Sequence, residues 1–360
     1  MTTAGQLPGR GTHSNPENRY EQIHVELERD EDWALDEDEL ARERRPPTLF
    51  YRDASRSALA ENDSPDVGFR YSINPYRGCE HGCIYCYARP THEYLSFSAG
   101  LDFERRIMVK LDAPELLRQT FQSPRWKPDV VALSGNTDCY QPVERRLCIT
   151  RRCLEVFREF LNPVGIVTKS ALVMRDVDLL ADLARHGVAR AMVSITTLDP
   201  QLARRMEPRA ARPDRRLEAI RALSSAGVPT GVMVAPVVPG LNDEEIPRIL
   251  QAAADAGACT AGWVLLRLPK PVDALFADWL AQHYPDRRER ILGRIRECRD
   301  GRMSDVRFGH RMRGEGVYAE QLAALFRTAV RRYGLDQQLP APNLAAFRRP
   351  PKSGDQLQLC

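Results

Sequence analysis

The sequence predicts an α/β fold: an incomplete (β/α) barrel of six units followed by a helical extension. Apolar strand-like runs alternate with amphipathic helical stretches from residue 69 to about 268, and sequential βα units of this kind build a parallel sheet. Glycines 187, 227 and 257 stand where three of those helices should end. The apolar fraction of 43% is enough to fill one large core.

Residues 1–45 are polar and acidic, with Asp30-Glu31-Asp32 and Asp36-Glu37-Asp38-Glu39 in close succession. Such a stretch is expected to be a disordered tail. Pro46-Pro47 stops any helix, and residues 46–68 read as an extended arm. The core, residues 69–270, is expected to hold strands at 70–75, 130–134, 164–168, 191–196, 231–238 and 263–268. Helices are expected at 115–121, 145–160, 175–185, 212–226 and 243–256. Residues 271–336 read as an Arg-rich helical region, in which arginines alternate with acidic residues as in ordinary helix-surface pairs. The Pro-rich residues 337–360 read as a flexible tail.

Composition narrows the function classes. No apolar run approaches the roughly 18 to 20 residues that span a bilayer, and residues 1–11 lack a secretory core, so a cytoplasmic location without membrane contact is expected. Nine cysteines then argue for reduced thiols with a metal role. A net charge of +3 does not by itself indicate a nucleic-acid partner. Only five of the 52 basic residues are lysines, so Lys169, at the end of an expected strand, stands out.

The chemistry concentrates in Cys79-Glu80-His81-Gly82-Cys83-Ile84-Tyr85-Cys86, directly after the first strand. Three thiolates on one loop hold three irons of a 4Fe-4S cube and leave the fourth open to a small molecule. A zinc site built from Cys79, Cys83 and Cys86 with His81 or His92 is the alternative, although no second C-x2-C pair occurs. Cys148, Cys153, Cys259 and Cys298 show no ligand spacing. The C-x3-C-x2-C spacing, with Tyr85 before the last cysteine, resembles the radical S-adenosylmethionine (radical SAM) superfamily. That resemblance implies that the methionine moiety chelates the open iron and that one electron cleaves the sulfonium to a 5'-deoxyadenosyl radical.

In parallel barrels the C-terminal strand ends converge on one mouth. There Asn136, Thr137 and Asp138 offer acceptors for the methionine ammonium, and Lys169 offers a cation for its carboxylate. Ser194 or Thr196 suits the ribose hydroxyls. Backbone at Tyr85, with apolar residues near Val237 and Leu266, suits adenine. The run from Asn74 to Tyr94, Gly135 to Asp138, Thr168-Lys169-Ser170, Ser194 to Asp199, Met206-Glu207-Pro208-Arg209 and Val234 to Asp243 is similar to a bacterial radical SAM family related to spore photoproduct lyase. This implies a partial (β/α)6 TIM-like barrel, a 4Fe-4S cluster on Cys79, Cys83 and Cys86, and S-adenosylmethionine contacted near Thr137, Asp138, Lys169 and Ser194.

One position departs from that family. Gly135 matches the lyase's radical-quenching cysteine, and Cys139, four residues on, is the candidate catalytic hydrogen donor. Two function classes result: a radical SAM enzyme acting on an unknown substrate, with nucleic acid (DNA lesion repair or modification) suggested by the lyase, or a non-catalytic iron-sulfur or zinc-binding redox or structural protein. The enzyme reading brings an external one-electron reductant of the flavodoxin or ferredoxin type. The terminal Gln356-Leu357-Gln358-Leu359-Cys360 resembles the Gln-Leu-x-Leu-Phe peptides that dock on the polymerase sliding clamp, with Cys360 in place of the aromatic anchor.

Overall fold

The chain enters through two strands, β1 (Leu49–Arg52) and β2 (Leu59–Glu61), before β3 (Tyr71–Ile73) opens the central sheet. These coordinates are a computed structural model in which residues 9–20 and 47–351 are described. β4 (Tyr76–Arg77) and β5 (Arg106–Val109) leave the sheet and join β1 in a separate three-stranded sheet of order β1-β5-β4. β6 (Val131–Leu133), β7 (Val164–Thr168), β8 (Ala189–Ser194), β9 (Thr230–Val237) and β10 (Thr260–Leu265) complete a seven-stranded sheet of order β10-β9-β8-β7-β6-β3-β2. Every pairing in it is parallel except that of β2 with β3. β10 and β2 remain edges, so the barrel is open.

The strands are apolar because parallel strands are covered on both faces; Val131, Ala132 and Leu133 of β6 are all buried. The covering helices are α1 (Ala113–Gln122), α2 (Ile149–Phe160), α3 (Val177–Arg185), α4 (Pro200–Met206), α5 (Pro213–Ser225) and α6 (Ile246–Asp255). α2 buries Cys153, Leu154, Val156, Phe157 and Phe160 on one stripe. Phe121 of α1 meets Phe157 and Phe160 edge-on at 5.4 and 5.7 Å between ring centroids. Gly187 (φ 71°) and Gly227 (φ 79°) follow α3 and α5 in the left-handed conformation that ends a helix. Three more helices, α7 (Val272–His283), α8 (Arg288–Glu297) and α9 (Gly316–Arg332), follow the sheet.

Several expectations shift. The fourth and sixth expected strands begin two to three residues earlier, as β8 and β10. The expected helix 145–160 breaks at Cys148, whose φ of 53° makes it the end of one short helix and the start of α2. Within the expected tail, residues 9–20 are docked. Asn15 exchanges hydrogen bonds with Asp102, Arg19 pairs with Glu93 at 2.5 Å, and Tyr20 stacks on Tyr94 at 5.2 Å. At the other end, residues of the expected flexible tail make contacts with the core. The amide of Arg348 donates to Phe160 O at 2.9 Å, and Phe347 stacks on Phe160 at 6.3 Å. The clamp-like peptide 356–360 lies outside the described residues. Among the described residues no helix is long and apolar enough to cross a membrane.

Candidate cluster and cofactor site

The loop after β4 carries Cys79, Cys83 and Cys86, all unpaired thiols and mutually close enough to repel as thiolates. Left-handed glycines shape it: Gly78 at φ 78° and Gly82 at φ 67°. Backbone bonds tie it to its surroundings at Cys79 N to Phe103 O (2.9 Å) and Ile84 N to Met206 O (3.0 Å), and Cys86 N to Cys83 O (3.2 Å) closes a turn within it. Arg89 is fully buried and donates twice to Cys83 O, at 3.0 and 2.9 Å, while pairing with buried Glu104 at 2.5 Å. Glu104 in turn accepts from the amides of Gly11 (3.0 Å) and Thr12 (3.2 Å). Segment 9–20 is thereby a strap across the outside of the cysteine loop.

Burial pushes the Cys79, Cys83 and Cys86 thiols up, so the protein alone holds them protonated. Binding a cationic metal centre would displace those protons. Three soft sulfur donors on one loop fit a 4Fe-4S cluster with one iron left open. Each proposed zinc-completing histidine is engaged through one ring nitrogen, and the buried Nδ1 of His92 has no hydrogen-bond partner among the described residues. His81 directs Nδ1 to Asp138 (3.5 Å), and His92 holds its Nε2 2.9 Å from Arg106 O between the rings of Phe97 and Phe103. Among the described residues no three His, Cys, Asp or Glu side chains gather as tightly as a single-ion site requires.

Behind the loop lies a buried polar knot centred on Glu207. Its carboxylate accepts from the hydroxyl of Tyr85, from Thr196 Oγ1 at 2.6 Å and from the Arg216 guanidinium. Arg216 also donates to Ser194 O at 3.0 Å, tying the end of β8 to the same group. Burial alone would raise the Glu207 pKa, but Arg216, then Lys169 and the two hydroxyls, outweigh it and hold the carboxyl at about 2. Lys169 places Nζ 5.9 Å from the Tyr85 ring centroid and, among the described residues, has no carboxylate at ion-pair distance.

The remaining expected residues divide. Asp138 is occupied by Thr168 Oγ1 (2.8 Å), Lys169 N (2.8 Å) and Tyr140 N (2.9 Å), so it shapes the strand ends and keeps little capacity for an ammonium. Thr137 Oγ1 donates to Tyr76 O at 2.6 Å, whereas the Asn136 side chain has no hydrogen-bond partner among the described residues. Thr196 is held inside the Glu207 knot, which leaves Ser194 as the ribose candidate. Cys139 is fully buried in the main core, with its amide bonded to Ser134 Oγ. Glu207, Arg216 and Arg89 escaped the reading of the residues. Glu207 stood only within the Met206-Glu207-Pro208-Arg209 run quoted for the family likeness.

The sequence model of the Radical SAM superfamily matches residues 73–253. The chain belongs to the radical SAM superfamily. It is therefore an enzyme that uses a 4Fe-4S cluster and S-adenosylmethionine. An uncharacterized protein of Mycobacterium tuberculosis is 38% identical over 253 residues, 69% of this chain and 73% of that protein. A radical SAM Nalpha-GlyT isomerase of Pseudomonas phage M6 is 24% identical over 215 residues, 59% of this chain and 43% of the phage protein. A spore photoproduct lyase mutant, solved with bound AdoMet and dinucleoside spore photoproduct, superposes with a TM-score of 0.52 at 19% identity, over 79% of this chain and 77% of that one. At that identity the likeness is one of fold.

Proposed function

We propose that this radical SAM enzyme acts on a base or nucleoside within a nucleic acid, with Cys79, Cys83 and Cys86 holding the cluster. When bound, the cluster supplies the electron that cleaves S-adenosylmethionine reductively, and a flavodoxin- or ferredoxin-type protein replenishes it. Lys169, poised over Tyr85 with no carboxylate at ion-pair distance among the described residues, receives the methionine carboxylate. Asn136 accepts from the ammonium, and Ser194 takes a ribose hydroxyl. The Glu207 knot holds Tyr85 and the end of β8 in fixed relation, so the cysteine loop and the cofactor-facing strand ends move as one body.

One observation favours the nucleic-acid substrate. Tyr87, next to Cys86, is 47% exposed at the mouth with its hydroxyl bonded to Gly135 O at 3.1 Å, a fixed aromatic face on which a base can stack. A fold neighbour, the spore photoproduct lyase mutant, was solved with a dinucleoside photoproduct, which is consistent with the same class. The test is to incubate reduced, reconstituted enzyme and S-adenosylmethionine with DNA and, separately, RNA from a strain lacking the gene, then digest to nucleosides and compare masses. A nucleoside altered only with wild-type enzyme is expected. Turnover of S-adenosylmethionine with every DNA and RNA nucleoside unchanged would contradict the substrate class.

A further inference from the structure

The seam beside the last parallel strand holds more positive charge than its carboxylates balance. Arg267 follows β10 and lays its guanidinium 5.4 Å from the centroid of the Tyr87 ring. Among the described residues its one side-chain hydrogen bond goes to the thioether sulfur of Met312, at 3.6 Å, a weak acceptor. Arg299 lies within reach of its charge, 1% exposed, donating to Leu265 O (3.3 Å), Leu266 O (2.7 Å) and His310 O (3.1 Å), while its Nε has no partner among the described residues. Among the described residues neither arginine has a carboxylate at ion-pair distance. The two nearby acids are committed elsewhere, Asp66 to Arg311 and the Gly309 amide, and Asp305 to Arg307.

Two adjacent guanidiniums, one buried, repel each other and lack the counter-charge that buried cations require. An anion completes the arrangement. A guanidinium stacked on an aromatic ring by one face still presents its planar fork of N–H donors at the edge, the geometry that suits two oxygens of a phosphate. The position matters equally. Tyr87 directly follows Cys86 and reaches Gly135 beyond β6, so Arg267 overlooks the mouth from the strand farthest from the β6 turn.

We propose that Arg267, stacked on Tyr87 and backed by Arg299, is the receptor for a phosphate of the substrate, anchoring the strand next to the reacting base. This rests on the nucleic-acid reading above and deepens it. Lys169 remains the partner of the cofactor carboxylate, so the two anion sites are separable.

The experiment compares reconstituted wild-type enzyme with Arg267→Gln, Arg267→Lys and, as a control for general charge, Arg290→Gln on the exposed face of α8. Fluorescence anisotropy with a labelled single-stranded oligonucleotide is read across a salt series, alongside S-adenosylmethionine affinity and uncoupled 5'-deoxyadenosine formation. Arg267→Gln is expected to weaken oligonucleotide binding about tenfold or more and to reduce the salt slope by about one. Arg267→Lys should recover part of it, and Arg290→Gln should bind like the parent. Cofactor affinity and uncoupled cleavage should stay unchanged, which also establishes that the variant is folded. Oligonucleotide binding by Arg267→Gln equal to wild type overturns the site and leaves the nucleic-acid reading standing. A fall in S-adenosylmethionine affinity overturns it too, because the anion would then be the cofactor's carboxylate. If wild type binds pyrophosphate but no oligonucleotide, and Arg267→Gln loses the pyrophosphate, the phosphate site stands and the nucleic-acid reading falls.

Discussion

Glu207 is the residue on which the site's order depends most. It is 2% exposed and paired with Arg216, which is 1% exposed, so Glu207→Ala leaves a buried cation uncompensated. The expected cost is about 3 to 5 kcal/mol, read by urea unfolding. The pH dependence has a definite sign. Because the folded pKa of about 2 lies below the usual 4.5, the stabilisation is fully present above pH 4.5 and is lost as the pH falls towards 2, a contribution of roughly 3 kcal/mol. An acid unfolding profile of Glu207→Gln that keeps the wild-type slope in this window would contradict the assignment. Lys169→Ala is expected to weaken S-adenosylmethionine binding about tenfold to a hundredfold, the equivalent of one charge-assisted contact, with cluster absorbance intact. Isothermal titration against the anaerobic holoenzyme checks it.

At the scale of elements, the strap 9–20 and the cysteine loop act together. A methyl group on Gly11 would lie 1.7 Å from Gly82 O, so Gly11→Val is expected to lift the strap, expose Glu104 and speed hydrogen exchange through residues 79–89. Unchanged exchange there would mean that the strap is only a passenger. The strap was not legible in the sequence because its hold is polar and distant: its partners, Glu93, Asp102 and Glu104, lie 74 to 93 residues away. The cysteine loop was legible because its chemistry requires three thiols within a single turn of chain. The core strands were readable from their apolar runs, with β10 displaced because Trp263 to Leu268 continues the same hydrophobic character past the strand's end. The Glu207 knot joins Tyr85, Thr196, Glu207 and Arg216, each ordinary in isolation and brought together only by the sheet.

At the scale of the molecule, the sheet stays open, with β10 and β2 as its edges. The C-terminal segment packs against α1 and α2 through Phe347. Phe347→Ala is therefore expected to lower stability by about 1 to 2 kcal/mol without altering iron content, measured by thermal unfolding beside an iron assay. The central claim is that Cys79, Cys83 and Cys86 hold the cluster at which S-adenosylmethionine is cleaved. The most direct measurement is 5'-deoxyadenosine formed by anaerobically reconstituted, reduced enzyme, with iron and sulfide quantified in the same samples. The account predicts about four irons and four sulfides per chain in the wild type, 5'-deoxyadenosine with S-adenosylmethionine, and neither in Cys83→Ala. A Cys83→Ala protein that retains the cluster and still cleaves S-adenosylmethionine would contradict it.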